Sequence, residues 1–186
     1  MATTEQRRMT LEAFLELPED KRSLELEPDG TVVQKMSPKA RHVTLQQFFA
    51  ELMNSFGEPR LVRAYPELRT IFGGAAYVPD VSVYLRERVP RNAEGEVEDD
   101  FREPPEIAIE VVSPGQSVNS LVRRSVWYVD HGVRVALVVD PEDRSVLIFR
   151  AGQPPRVAQG VDAIELDDVL PGFELTAERV FASLRE

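Results

Sequence analysis

A nearly unbroken apolar run from Val133 to Val139 constrains the fold more than any other segment of the chain. A strand with one face in water alternates polar and apolar residues, whereas a strand covered on both faces is apolar throughout. The run therefore predicts a central strand of a covered sheet. The segment Ile107–Val112 also has high β-propensity and ends at Ser113-Pro114-Gly115, so it predicts a further strand.

Apolar periodicity and turn residues divide the rest of the chain into helices and strands. We predict helices over 9–17, 37–56, 120–130 and 177–184. We predict further strands over 23–26, 31–36, 60–64, 68–72, 81–85 and 145–150, with an edge strand after residue 150. This order indicates an α/β (α+β) fold in which helices flank a mixed central β-sheet, preceded by an N-terminal helix and a β-hairpin.

The length of 186 residues suits a single domain over 1–186. Within it we expect an N-terminal helix and hairpin (1–36), a core (37–150), and a C-terminal edge strand and helix (151–186). The chain has no cysteine, which excludes disulfides, thiolate catalysis and cysteine-ligated metal sites. Because the sequence contains neither a signal-peptide pattern nor an apolar stretch that could span a membrane, we expect a cytoplasmic protein without a membrane partner.

The charge distribution bears on a nucleic-acid partner. The net charge of −10 disfavours one, but residues 35–91 carry nine Lys or Arg against five Asp or Glu. A solvated surface explains this basic segment about as well as contact with phosphates does. The candidate phosphate contacts are Lys35, Lys39, Arg41, Arg60, Arg63 and Arg69.

Glu110 is the most informative single residue, because it lies in the middle of the apolar strand 107–112. A buried carboxylate is costly unless a cation or hydrogen bonds satisfy it. A metal ion would do so, but so would an arginine partner or an edge position that leaves the side chain in water.

Asp80 follows Pro79 at the start of the strand 81–85. An Asp in this position is ordinarily a turn residue. Two acids on neighbouring strands are stronger grounds for a metal site than either acid alone. Carboxylate oxygens completed by water suit Mg²⁺ or Mn²⁺, and these ions suit phosphoryl chemistry.

The Pro79-Asp80 pair followed by Glu110 in an apolar strand resembles the PD-(D/E)XK nuclease superfamily. More specifically, the chain resembles the bacterial Uma-type restriction-endonuclease family, a domain of unknown function. The matching segments occur in the expected order: LELEPDGTVVQKMSPKARH (24–42), YVPDVSVY (77–84), IAIEVVSP (107–114), RRSVWYVDHGVRVALVVDPEDRSVLIFR (123–150) and LPGFEL (170–175).

The resemblance implies a restriction-endonuclease-like core with Asp80 and Glu110 as metal ligands. It also implies that Glu25 completes the site and that His42 belongs to it. A surface acid in a hairpin, or a histidine that only packs the start of a helix, would explain these two residues equally well.

The chain departs from the superfamily at its lysine. The usual position, two residues after the glutamate, holds Val112. The Uma-type pattern takes a lysine from the next helix, four residues before a tyrosine. Here that tyrosine is Tyr128 and the position holds Arg124, which can stabilise a phosphate but cannot act as a base near neutral pH.

Three functions remain open. The first is a Mg²⁺- or Mn²⁺-dependent endonuclease that hydrolyses DNA, using Asp80, Glu110, Glu25, His42 and Arg124, and working as a homodimer by analogy with restriction enzymes. The second is a catalytically inactive binding module of the same fold that docks a protein or nucleic acid. The third is a hydrolase of a small phosphorylated or glycosidic substrate with paired carboxylates.

Overall fold

The computed structural model describes residues 8–18, 23–57 and 61–185. Its helices are α1 (Leu11–Leu15), α2 (Ala40–Ser55), α3 (Val118–Asp130) and α4 (Ala177–Ala182), with short 3₁₀ turns at Arg86–Arg88 and Ser183–Arg185. Its strands are β1 (Leu24–Leu26), β2 (Val32–Gln34), β3 (Val62–Pro66), β4 (Thr70–Phe72), β5 (Ala75–Tyr77), β6 (Val81–Leu85), β7 (Ile107–Val111), β8 (Val135–Asp140), β9 (Ser145–Phe149) and β10 (Arg156–Gln159).

Six strands form the main sheet in the order β10-β9-β8-β7-β6-β3. The β7–β8 pair is parallel and its neighbours are antiparallel, so the sheet is mixed as the sequence predicts. All residues of β7 and the first five of β8 are buried. The expectation of a central strand covered on both faces is therefore confirmed for β8; β7 is covered as well, and β10 lies at the edge.

The two faces of this sheet are covered by different helices. Apolar side chains of α2, α4 and the C-terminal segment pack on the face that carries Val81, Ile109 and Leu137. Helix α3 packs on the other face, through Leu121 and Tyr128. Because strand residues alternate between faces, Glu110 points toward α3.

The N-terminal hairpin is confirmed, but it is part of a second sheet that the sequence does not reveal. This sheet has the order β2-β1-β5-β4, and β1 joins β5 through the pair Leu26–Ala76. Strand β5 was not predicted. Strands of three residues are too short to display a two-residue period, so only the turn at Gly73-Gly74 marked this part of the chain.

Several boundaries differ from the predicted ones. Helix α2 begins at Ala40, because the segment after Ser37-Pro38 is still extended. Helix α1 is a short helix whose N-cap is Thr10, the side chain of which accepts a hydrogen bond from the Ala13 N–H at 3.2 Å. Among the described helices, none has the length and apolar character needed to cross a membrane.

The turn between β4 and β5 offers a matched test of packing. Gly73 and Gly74 both have positive φ, 58° and 80°. A Cβ on Gly73 would lie 2.7 Å from the His131 ring and 2.8 Å from the Trp127 ring, whereas a Cβ on Gly74 meets nothing within 4 Å.

We expect Gly73→Ala to lower the free energy of unfolding by roughly 2 kcal/mol more than Gly74→Ala, since both substitutions strain φ but only the first overpacks the rings. Urea denaturation of the two variants measures the difference. Equal losses would show that the Trp127–His131 pair does not restrain this turn.

Candidate metal centre

Asp80 and Glu110 lie side by side because their strands are neighbours. Val81 at the start of β6 pairs with Ile109 of β7, and the same antiparallel register continued by one residue sets Asp80 opposite Glu110. Both side chains are buried, each residue being 2% exposed. Asp80 Oδ2 accepts a hydrogen bond from the Val111 N–H at 2.7 Å, which fixes the carboxylate against β7.

Two basic side chains surround the other oxygen of Asp80. Lys35 Nζ is 2.7 Å from Asp80 Oδ1, and His42 Nε2 is 3.1 Å from it. Burial alone would raise the pKa of Asp80, but the hydrogen bond of His42 and the charges of Lys35 and His42 outweigh burial and lower it. Asp80 is therefore an anion at neutral pH.

His42 is oriented from the opposite side of its ring. It lies in the first turn of α2, and its Nδ1 is 2.9 Å from Ser113 Oγ, just after β7. This contact directs Nε2 toward Asp80. Proteins commonly orient a ligating histidine in this way, through a hydrogen bond at its other ring nitrogen.

Glu110 is held by helix α3. The Tyr128 hydroxyl donates to Glu110 Oε1 at 2.8 Å, and Arg124 Nη1 is 3.7 Å from the same oxygen. Burial, and then the negative charge of Asp80, raise the pKa of Glu110 to about 7, against the opposing charges of Arg124 and Lys35. Near neutrality the two carboxyl groups therefore differ: Asp80 is ionised, and Glu110 exchanges its proton readily.

Glu25 and Arg124 form a bidentate ion pair. The Arg124 guanidinium donates to Oε1 and Oε2 of Glu25 at 3.1 and 2.8 Å, and its Cζ lies 4.5 Å from the centroid of the Tyr77 ring. Glu25 Oε1 also accepts the Val78 N–H at 2.8 Å. Glu25 and Arg124, both predicted from the sequence as site residues, thus reach the centre together. There, however, each is bound to the other. A metal-ligand role for Glu25 stays a prediction.

Lys35 occupies a different place from the one predicted for it. Its side chain is only 12% exposed, and its ammonium donates to the Val78 carbonyl at 2.7 Å and to both Glu67 oxygens at 3.1 Å. The carboxylates of Asp80, Glu110 and Glu67 raise the pKa of Lys35 although burial opposes them. Lys35 is thus a part-buried ammonium beside the two central carboxylates, not a fully solvated surface cation.

Sequence reasoning missed Glu67 and Gln46. Gln46 Nε2 donates to Glu67 Oε1 and to the Asp80 carbonyl, each at 2.8 Å. Glu67 follows β3 with a positive φ of 52°, which is uncommon for a residue with a side chain. Donor atoms of Glu67, His42 and Asp80 lie within 4.8 Å of one another. The apolar period of α2 does not single out Gln46, so no local signal in the sequence identified either residue.

The remaining predicted phosphate contacts are dispersed. Lys39 and Arg41 are exposed at the start of α2, close to His42 in sequence, and Arg63 is exposed on β3. Arg69 lies 5.7 Å from the centroid of the Phe14 ring. Arg60 lies outside the described residues.

The cavity at this centre has donor atoms suited to a hard divalent cation. It has a volume of about 260 Å³, and Lys35, His42, Asp80, Glu110 and Arg124 are among its lining residues. Asp80 Oδ1 and His42 Nε2 are buried at its wall, where Oδ1 is 2.7 Å from Lys35 Nζ and 3.1 Å from His42 Nε2. Carboxylate oxygens are ligands that suit Mg²⁺ or Mn²⁺, whereas an imidazole nitrogen suits softer transition-metal ions.

The contrast between the two carboxyl groups predicts opposite effects on stability without metal. The pKa of Glu110 in the folded protein exceeds its ordinary value, so its ionisation destabilises the fold as pH rises to about 7. We expect Glu110→Gln to raise the free energy of unfolding at about pH 8 by up to about 3 kcal/mol, with little effect at about pH 5.

Asp80→Asn should do the reverse. The pKa of Asp80 is lowered, so its charge stabilises the fold above its ordinary pKa, and its loss leaves the Lys35 ammonium with one carboxylate fewer. We expect a loss of roughly 3 kcal/mol at about pH 8. Denaturation in a chelating buffer measures both variants, and a Glu110→Gln protein less stable than wild type at the higher pH would refute the assignment.

Comparisons with known proteins agree with this geometry. The sequence matches the Uma2 family, described as "Putative restriction endonuclease", over residues 11–178. Five solved chains match the fold, and one is the crystal structure of a putative nuclease belonging to DUF820 from Anabaena variabilis. It has 30% sequence identity and a TM-score of 0.88, and the match covers 95% of this chain and 99% of that one. No curated protein matches significantly.

The family match extends over most of the chain, and the structural match confirms the predicted restriction-endonuclease-like fold. The chain therefore belongs to the Uma2 family of nuclease-fold proteins.

Proposed function

We propose that this protein is a metal-dependent endonuclease that hydrolyses DNA phosphodiester bonds, with Mg²⁺ or Mn²⁺ held by Asp80 and Glu110. The observation that carries the proposal is the pair of buried carboxylates set opposite each other, Asp80 just before β6 and Glu110 in β7, at a cavity that also contains the part-buried ammonium of Lys35. The family description and the nuclease neighbour support a nuclease. Two carboxylates beside a cation are typical of metal-assisted phosphoryl transfer.

The protein's own residues would hold the metal-binding side chains in position. When bound, the ion would polarise the scissile phosphate and lower the pKa of an attacking water. The Val111 N–H and the Tyr128 hydroxyl each hold one oxygen of a carboxylate, Asp80 and Glu110 respectively, and both residues line the cavity. His42, oriented by Ser113, places Nε2 beside Asp80.

Lys35 supplies the positive charge that the superfamily takes from its lysine. Its ammonium lies at Asp80 and is held in place by Glu67 and the Val78 carbonyl. Its raised pKa keeps it protonated, so it acts on the charge that develops on the phosphate and not as a base. Lysine thus reaches the centre from the segment after β2 instead of from β7 or α3.

Arg124 has a different part in this scheme. Its guanidinium is occupied by the two oxygens of Glu25, and it stands 3.7 Å from Glu110. It neutralises the carboxylates of the centre and connects the N-terminal hairpin to α3. A lysine in this position could not make the two parallel hydrogen bonds.

The substrate and assembly are further parts of the proposal. Lys39 and Arg41, exposed where α2 begins, would contact the backbone of DNA bound at the cavity. Cleavage of both strands would require two copies of the centre, so we propose a homodimer that acts in the cytoplasm.

Cleavage of plasmid and single-stranded DNA in Mg²⁺ and in Mn²⁺ tests the function. We expect Asp80→Asn and Glu110→Gln each to reduce the rate by about 10² or more, because each removes a charged metal ligand. Isothermal titration with Mn²⁺ should show binding to the wild type and weaker binding to both variants. Binding of Mn²⁺ without cleavage of either DNA would favour the non-catalytic binding module instead.

The part played by Lys35 is tested by two separate substitutions, one at Lys35 and one at Arg124. We expect Lys35→Gln to lower the cleavage rate by about 10²-fold without weakening Mn²⁺ binding, since it removes only charge stabilisation of the transition state. Arg124→Lys, which restores the family residue, should lower stability and leave the rate no higher than that of wild type. A faster Arg124→Lys enzyme, or a fully active Lys35→Gln enzyme, would show that position 124 in α3, and not Lys35, has the role of the family lysine.

A further inference from the structure

A second cavity lies at the far end of the β3–β6 pair. It has a volume of about 180 Å³ and is lined by Arg63, Tyr65, Arg86, Val89, Arg91 and Val97. Arg63 pairs with Tyr84 near the end of β6, whereas the metal centre lies at the start of β6. The two cavities are thus separated by roughly 10 Å along the strand, and they share no lining residue.

Three guanidinium groups converge on this cavity from separate parts of the chain. Arg63 comes from β3, Arg86 from the 3₁₀ turn after β6, and Arg91 from the loop that follows. The backbone fixes their origins: the Arg86 N–H donates to the Leu61 carbonyl at 3.0 Å, and Arg91 forms a β-bridge with Val97.

The three arginines are not neutralised by carboxylates. Within the described part of the chain, none of them has an Asp or Glu oxygen within the 4.0 Å of an ion pair, although residues 92–106 carry seven acids. The two other arginines of this region are paired, Arg88 with Glu103 and Glu106, and Arg102 with Asp100. Three of the seven acids thus pair with other arginines, and the arginines at the cavity form no ion pair within the described residues.

An aromatic floor gives the cavity a defined shape. The Tyr65 ring makes edge contacts with Phe101 and Tyr84, at centroid distances of 5.0 and 6.4 Å, and Arg63 Cζ lies 5.8 Å from its centroid. Burial raises the pKa of the Tyr65 hydroxyl, while the charges of Arg63, Arg91 and Arg86 oppose the rise. The hydroxyl is therefore a neutral hydrogen-bond donor in a cavity that the three arginines also line.

We propose that Arg63, Arg86, Arg91 and Tyr65 form a binding site for a phosphate group, separate from the metal centre. Like charges brought together without a counter-ion repel one another, and a phosphate relieves this repulsion at the place where they meet. Guanidinium forks match the paired oxygens of phosphate and bind it more strongly than neutral donors do. The volume corresponds to roughly six waters of about 30 Å³, which accommodates a phosphate and part of its hydration shell.

The phosphate could belong to a DNA backbone or to a small phosphorylated molecule. A duplex lying along β3 and β6 would span both cavities, since 10 Å corresponds to about three base-pair steps. This source rests on the proposed function, whereas binding of a free phosphate does not. The experiment therefore uses both probes.

The test compares wild type with Arg63→Gln/Arg91→Gln and with the control Arg102→Gln. Arg102 is an exposed arginine of the same loop whose partner is Asp100, so its substitution removes charge without touching the cavity. The first readout is the melting temperature in sodium phosphate against sodium chloride at equal ionic strength. The second is the anisotropy of a short labelled DNA duplex in chelating buffer, across a salt series.

We expect phosphate to raise the melting temperature of wild type and of Arg102→Gln, and to raise that of the double variant less. If DNA is the source, the double variant should also bind the duplex about tenfold more weakly, with a salt slope reduced by about 1 to 2. A lost phosphate effect with unchanged DNA binding would identify a small phosphorylated ligand. The proposal is overturned if the double variant matches wild type with both probes, or if Arg102→Gln loses as much as the double variant does.

Discussion

The carboxylate of Asp80 is the point on which the centre depends. One of its oxygens is bound to the backbone of β7, and the other faces Lys35 and His42. A buried charge is tolerated only when hydrogen bonds and opposite charges replace water. The neighbouring elements supply these hydrogen bonds and charges. The second sheet and the start of α2 therefore meet at the end of the main sheet where β6 begins.

The same requirement explains why basic residues are buried on both sides of Glu110. Lys35 reaches the centre from the segment after β2, and Arg124 reaches it from α3. Each ammonium or guanidinium also has a carboxylate of its own, Glu67 for Lys35 and Glu25 for Arg124. Charges of both signs alternate through the site, which is how a buried polar network avoids an unpaired member. Asp80 Oδ1 and His42 Nε2, both buried, face each other in this network at 3.1 Å.

Positive charge is concentrated at particular places on this protein, although the chain as a whole is strongly acidic. The net charge of −10 argues against a general attraction to nucleic acid. The arginines of the second cavity nevertheless form no ion pair within the described residues, whereas Arg88 and Arg102 pair with Glu103, Glu106 and Asp100. Distribution, and not total charge, decides whether such a surface can hold a phosphate.

The sequence by itself determined the mixed sheet, its covered central strand, and the acids before β6 and within β7, whose meeting on neighbouring strands the family resemblance predicted. These features are local: an apolar run, a proline before a strand, and an acid within an apolar strand all act within a few residues. The tertiary structure alone decided that Lys35 lies at Asp80, that Arg124 is bound to Glu25, and that Glu67 and Gln46 join the centre. These contacts join residues far apart in the chain. They depend on how the short strands β4 and β5 assemble with the hairpin, and strands of three residues carry too little pattern to predict that assembly.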